Sequence, residues 1–188
     1  EIFRKKLADF DDSVVEKSMQ MLAEQLGDPE AEKRIEPFLD DSRKRVAIRA
    51  ALILGALFSE KSVPYLQRIY EENQKGVTSI EAAKLLRLMG VTVNKEILIS
   101  AAKGGDYRSD NAIEVLGIDP SKEDMALFLD LFSAESDERV LLATMREIKN
   151  SIALLDEHQI VRIYDKMAAL KTRIDSSPTL QRMMFSLL

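Results

Sequence analysis

The stretch DSRKRVAIRAALILGALFSEKSVPYLQRIYEE, residues 41–72, decides the fold class of this chain. Val46, Ala50, Ile53, Leu54 and Leu57 recur at steps of three and four, the spacing that gathers side chains on one face of an α-helix. Leu66, Ile69 and Tyr70 form a second, shorter stripe. Between them Ser62 stands where an N-cap belongs, because its oxygen can accept an orphan N–H of a first turn. Pro64 falls inside that turn, where a missing N–H costs nothing. Gly55 lies within the first stripe, which implies a helix interior or the close approach of another helix. The stretch therefore reads as two short amphipathic helices and a turn, each helix with one apolar face to bury.

The same grammar runs outward in both directions. Ile80, Ala83, Leu86 and Met89 make a third stripe, and Ile160, Ile163, Tyr164 and Met167 a fourth. Ser13, Thr78, Asn94, Ser121 and Asp156 occupy further N-cap positions, and Gly27, Gly90 and Gly117 read as C-terminal caps. No alternation of period two persists, and no βαβ pattern occurs. The chain is all-α, with about ten to twelve short helices.

The helices also repeat. Leu-Gly or Met-Gly pairs close at 27, 55, 90 and 117, a spacing of about 30 residues, within the range of stacked repeat architectures. Sliding the chain by 94 residues lays Arg45-Val46 on Arg139-Val140, Ser62 on Asp156, and Arg68-Ile69-Tyr70-Glu71 on Arg162-Ile163-Tyr164-Asp165. At an offset of 90, Phe38-Leu39-Asp40 falls on Phe128-Leu129-Asp130. Caps, core positions and a four-residue string stay in register together, which is the mark of a duplicated block.

These residues resemble HEAT repeats, the armadillo-like α-solenoids, and in particular the short repeats of bacterial HEAT-like proteins. The best unit is Asp41 to Glu72, with an aspartate before the first helix, then Val46, Ala50-Ala51, Leu54-Gly55 and a second helix opened by Val63-Pro64. Asp137-Glu138-Arg139-Val140 opens another, and the likeness covers residues 13–170. The resemblance implies an α-α superhelix, a right-handed solenoid of about five to six helix pairs, whose faces are completed by stacking. One feature departs from the family. Ala47 and Leu141 stand where an arginine usually follows the valine, which speaks against the family's inter-repeat Asp–Arg ladder and leaves the packing pattern intact. The expected organisation is one HEAT-like domain over residues 1–188. Because the run Met183-Met184-Phe185-Ser186-Leu187-Leu188 carries no helix stop, that domain reads as a fragment of a longer protein.

Composition excludes several chemistries. With no cysteine and one histidine among 188 residues, the chain offers no thiol nucleophile, no disulfide and no pair of imidazoles for a metal. His158, in the first turn of a helix, reads as a surface residue without a converging partner. The carboxylate pairs Asp11/Asp12, Asp40/Asp41 and Glu71/Glu72 are sequence neighbours that do not face one another, so they read as first-turn or solvated charges. Gly104-Gly105-Asp106 lacks the Lys-Ser/Thr ending and the preceding strand of a phosphate loop and reads as a helix stop. The eight methionines read mostly as core filling. A net charge of −5 and no long basic run disfavour nucleic acid, and no apolar run approaches the length of a bilayer span.

Two features stand out for binding. Arg43, Lys44, Arg45 and Arg49 place four cations at one helix start, open to an acidic partner or to local pairing with Asp40 and Asp41. Arg68 and Arg162 repeat on second helices, which by family resemblance line the concave surface. They would grip an acidic or helical ligand, or else pair along their own helices with Glu72 and Asp165. The expected function is thus a non-enzymatic, cofactor-free, cytoplasmic scaffold that binds a protein segment on its concave face. The alternative is a soluble regulatory or sensory domain of a larger protein, membrane-associated proteins included. Two enzymatic activities known among HEAT-like proteins fit less well. A DNA glycosylase would want a basic, tryptophan-containing groove, and no lyase motif is present.

Overall fold

The computed structural model describes residues 2–25, 28–72, 76–133 and 135–187, and 77% of it is helical. Thirteen α-helices and no strand occur among the described residues, so the all-α reading holds. Gly27, read above as a helix stop, lies outside them. The chain parts into two compact units, residues 1–93 and 94–188.

The first unit contains α1 (Ile2–Lys6), α2 (Asp12–Gln20), α3 (Ala31–Ile35), α4 (Lys44–Ala56), α5 (Val63–Glu72) and α6 (Val77–Leu88). A π-helical turn, Met21–Gln25, extends α2, and a 3₁₀ turn, Glu36–Asp40, extends α3. The stripe read from residues 46–57 makes α4 the centre, except that Leu57, just past the helix end, is 38% exposed. Val46, Ala50, Ile53 and Leu54 are all buried, and α4 packs against α2, α5 and α6. Gly55 sits inside α4 where α5 and α6 come closest: a Cβ there would stand 2.8 Å from Leu66 Cδ1 and 3.1 Å from Leu85 Cδ1.

Two helices in this unit end in the same way. At Gly90 (φ 77°) the chain turns left-handed, and the Val91 N–H donates to the Leu86 carbonyl at 2.8 Å. At Phe58 (φ 59°) the Ser59 N–H donates to the Leu54 carbonyl at 2.9 Å. Phe58 carries the Cβ that this conformation disfavours by about 1 kcal/mol, and its ring is 62% exposed. Phe58→Gly should therefore stabilise the protein by about 1 kcal/mol, seen as a higher urea midpoint at unchanged slope. An unchanged or lower midpoint would show that the ring packs more than its exposure implies.

The second unit contains α7 (Lys95–Lys103), α8 (Ser109–Leu116), α9 (Lys122–Leu131), α10 (Glu138–Asn150), α11 (Glu157–Ala169), α12 (Lys171–Ser176) and α13 (Pro178–Leu187). Its core gathers Ile113, Leu116, Met125, Phe128, Phe132 and Ile148, all fully buried, around α10, which packs on α8, α9 and α13. Asn94 caps α7, accepting from the Glu96 N–H at 3.0 Å. Ser121 with Asp124, and Asp156 with Gln159, form reciprocal capping boxes on α9 and α11. Lys95 of α7 also pairs with the buried Asp124 of α9.

Other expected caps are displaced by stronger acceptors or by the path of the chain. Asp11, two residues earlier, accepts the Ser13 N–H at 2.8 Å, so Asp11 and not Ser13 caps α2. Gly76 precedes α6, with Thr78 already inside the helix. The buried Ser62 hydroxyl donates to the Ser59 carbonyl at 2.7 Å instead of accepting a helix N–H. Gly117 closes α8, yet its φ of −71° is ordinary. Contact and not conformation explains it, because a Cβ there would lie 2.1 Å from Glu147 Oε2. The fourth stripe is corrected too: Ile163 and Met167 are buried, whereas Ile160 and Tyr164 are exposed.

Candidate functional site

The run of four cations at the start of α4 is split by the 100° step of the helix. Arg43 and Arg45 turn toward α2. The Arg43 guanidinium donates to Asp41 at 2.8 and 2.9 Å and reaches Asp12 of α2 at 3.4 Å, while its own N–H donates to Asp41 Oδ1 at 2.8 Å. That guanidinium holds the Asp41 carboxyl below its usual range. Arg45 pairs with Glu16 of α2 at 3.3 Å, and the half-buried Arg49 follows one turn on. An Asp–Arg link between successive helix pairs does exist here, carried by Arg43 instead of the usual position after the valine. The same local clamp, an aspartate holding both the N–H and the guanidinium of the arginine two residues on, recurs at Asp106/Arg108 and Asp137/Arg139.

Lys44 turns the other way, into an open cavity of about 420 Å³ between α4 and α5. Ala47 and Ile48 of α4 and Ile69 of α5 form its apolar surface, with Leu39 at the base. Arg68 reaches the same cavity from α5 and lies over the Tyr65 ring, 5.3 Å from its centroid, a cation–π arrangement. The Tyr65 hydroxyl donates to Asp40 Oδ1 at 2.8 Å, which raises the phenol's pKa. Two of the six residues singled out by sequence, Lys44 and Arg68, thus meet at one groove although 24 positions apart. Lys44, Arg68 and Glu72 enter no ion pair among the described residues, so the expected Arg68–Glu72 bridge is absent there. Tyr65 was not singled out, although its place three residues before Arg68 puts both on one helix face.

Arg162, at the duplicated position, is placed differently. It donates to Asp130 of α9 at 3.1 Å and does not pair with Asp165. Asp130 answers to Asp40 in the duplication, but Gln159 stands where Tyr65 would be. With no phenol to take the carboxylate, the arginine takes it. His158 is exposed, and the described residues contain no group of three His, Asp or Glu placed to hold a metal. Four methionines (Met19, Met125, Met145 and Met167) are buried and the other four half-buried, as core filling requires.

Comparison with known proteins agrees with this geometry. A family model described as HEAT repeats matches residues 1–87. Over these 87 of its 188 residues the chain is similar to HEAT repeats. HEAT repeats are generally protein-interaction scaffolds and are typically non-enzymatic. The groove lies wholly within the matched HEAT segment, between the first and second helices of one repeat. No curated protein matches the chain significantly. No helix among the described residues is long and apolar enough to cross a membrane.

Proposed function

We propose that the chain is a protein-interaction scaffold without catalytic activity, and that the α4–α5 groove receives an acidic, helical segment of its partner. The observation that carries this reading is the meeting of Lys44 and Arg68, neither in an ion pair among the described residues, above an apolar floor. An arginine already stacked on an aromatic ring gives up little rotamer freedom on binding, which favours it as a hot spot. Arg43 and Arg45 hold α4 against α2 and so position Lys44 instead of touching the ligand. In HEAT stacks the second helices line the concave side, and the groove borders one of them, α5. Arg43 neutralises Asp41, whereas Asp40, bonded only to the neutral Tyr65, and Glu72 keep their charges in the lining, so the guest's carboxylates must seat on Lys44 and Arg68 and away from these two.

Selection of displayed peptides on the intact chain tests this. The expected outcome is enrichment of Asp or Glu at helical spacing around one aliphatic residue. Affinity should fall about tenfold or more in Lys44→Glu or Arg68→Glu, and should weaken as salt rises. Selected peptides without acidic residues, or equal binding to both variants, would remove the groove from the function.

A further inference from the structure

The duplicated string Arg68-Ile69-Tyr70-Glu71 and Arg162-Ile163-Tyr164-Asp165 places the same side chains on α5 and α11, but the two helices have different neighbours. In the first unit α6 packs on both α4 and α5, and the Ser79 hydroxyl of α6 donates to the Tyr70 carbonyl at 3.0 Å. Leu66 and Tyr70 are accordingly 0% and 3% exposed. In the second unit α13 packs on α10 as α6 does on α4, but no helix among the described residues covers the outer face of α11. Their counterparts Ile160 and Tyr164 are 37% and 56% exposed, and Val161 between them is 53% exposed. Ala168 continues the face at the next turn and is small enough for another helix to approach closely.

We propose that this face of α11 is a docking site for a basic amphipathic helix of a partner protein, seated as α6 is seated on α5. The charges on the face choose the occupant. Glu157 and Asp165 border the apolar strip, both are exposed, and neither enters an ion pair among the described residues. Lys166 lies on the opposite side of the helix. An incoming helix therefore gains from Lys or Arg on its edges. A second copy of this chain would bring the same two carboxylates and a net charge of −5 against them. The helix that covers the duplicated face is itself of the basic kind, with Lys84 and Arg87 against Glu81. This surface is independent of the α4–α5 groove.

The probe is a fluorescent synthetic peptide of residues 76–90, the α6 segment, titrated into the whole chain and followed by anisotropy. Saturable binding is expected. It should weaken about tenfold or more with Tyr164→Glu or Val161→Glu, or when the peptide carries Lys84→Glu and Arg87→Glu. Lys44→Glu with Arg68→Glu should leave it unchanged, which separates this site from the groove. Both α11 positions are more than half exposed, so the variants should keep the parent's circular dichroism and melting curve. Three results would overturn the proposal. One is no saturable binding, and another is binding indifferent to Tyr164→Glu, as when the peptide displaces α6 from α5. The third is a concentration-dependent dimer of the chain that Tyr164→Glu dissolves, which would make the occupant a second copy.

Discussion

Gly117→Ala is expected to destabilise the protein by about 2 kcal/mol, although helix propensity alone favours alanine there by about 1 kcal/mol. The φ of −71° suits any residue, so the backbone gives no reason for glycine. The reason is Glu147 of α10. A Cβ on residue 117 would lie 2.1 Å from its Oε2, 2.5 Å from its Cδ and 2.8 Å from its Cγ, so the whole carboxyl arm would have to move. That arm is only 5% exposed and has little room to move into. Glu147→Ala made in the Gly117→Ala background should recover most of the loss. Urea melts of the four proteins of the cycle would show a coupling above about 1 kcal/mol. Additive effects would mean that the glycine serves something other than this contact.

The same carboxyl gives a pH signature. Burial, with the charge of Glu114 adding to it, raises the Glu147 pKa above the usual carboxylate value, against the opposing pull of Asn150 and Arg146. The folded state therefore holds this proton to higher pH than the unfolded state does. The contribution to stability is complete below the unfolded pKa and is lost as pH rises through the folded one. Asp41 and Asp106, lowered by Arg43 and Arg108, act in the opposite sense. Their contribution is present above the unfolded value and lost on acidification through the folded one. Glu147→Gln should raise the melting temperature near neutrality and leave the acid limb in place.

The fold was legible because an amphipathic helix states its period and its caps in adjacent residues. The α4 and α6 stripes pack almost as read, and Asn94, Ser121 and Asp156 cap as expected. What failed depends on residues distant in sequence. Tyr164 carries the same local pattern as Tyr70, and only the neighbouring helix decides that one is 56% and the other 3% exposed. The groove was half legible. The cation cluster was visible, but separating Lys44 from Arg43 and Arg45 requires knowing that Asp12 and Glu16 wait on α2. Arg68 looked equally ready to pair with Glu72, and its stacking on Tyr65 is a choice among neighbours on one helix face. Gly117 read as a cap because its place at a helix end is visible from the sequence, whereas Glu147, 30 residues on, is not.

Gly55→Val should be the most damaging small substitution in the first unit, at about 3 kcal/mol. Alanine at this position already costs something, because its Cβ is the atom that meets Leu66. It gains about 1 kcal/mol of helix propensity and meets Leu85, which is half-buried and can swing aside. Leu66 cannot, since it is fully buried and its Cδ1 would lie 2.8 Å from the new Cβ. Valine adds two methyl carbons on a stiff χ1 at the point where α4, α5 and α6 come closest, so the strain passes into helix separation and is not absorbed by a rotamer. Leu66→Ala alone should cost about 2–5 kcal/mol. Combined with Gly55→Val it should cost clearly less than the two added, because each change makes the space the other lacks. The two helices forced apart are also the walls of the groove. Any Gly55→Val protein that still folds should therefore lose affinity for a groove-binding peptide while keeping Lys44 and Arg68. Unchanged affinity in such a protein would show that the spacing of α4 and α5 does not set the fit of the site.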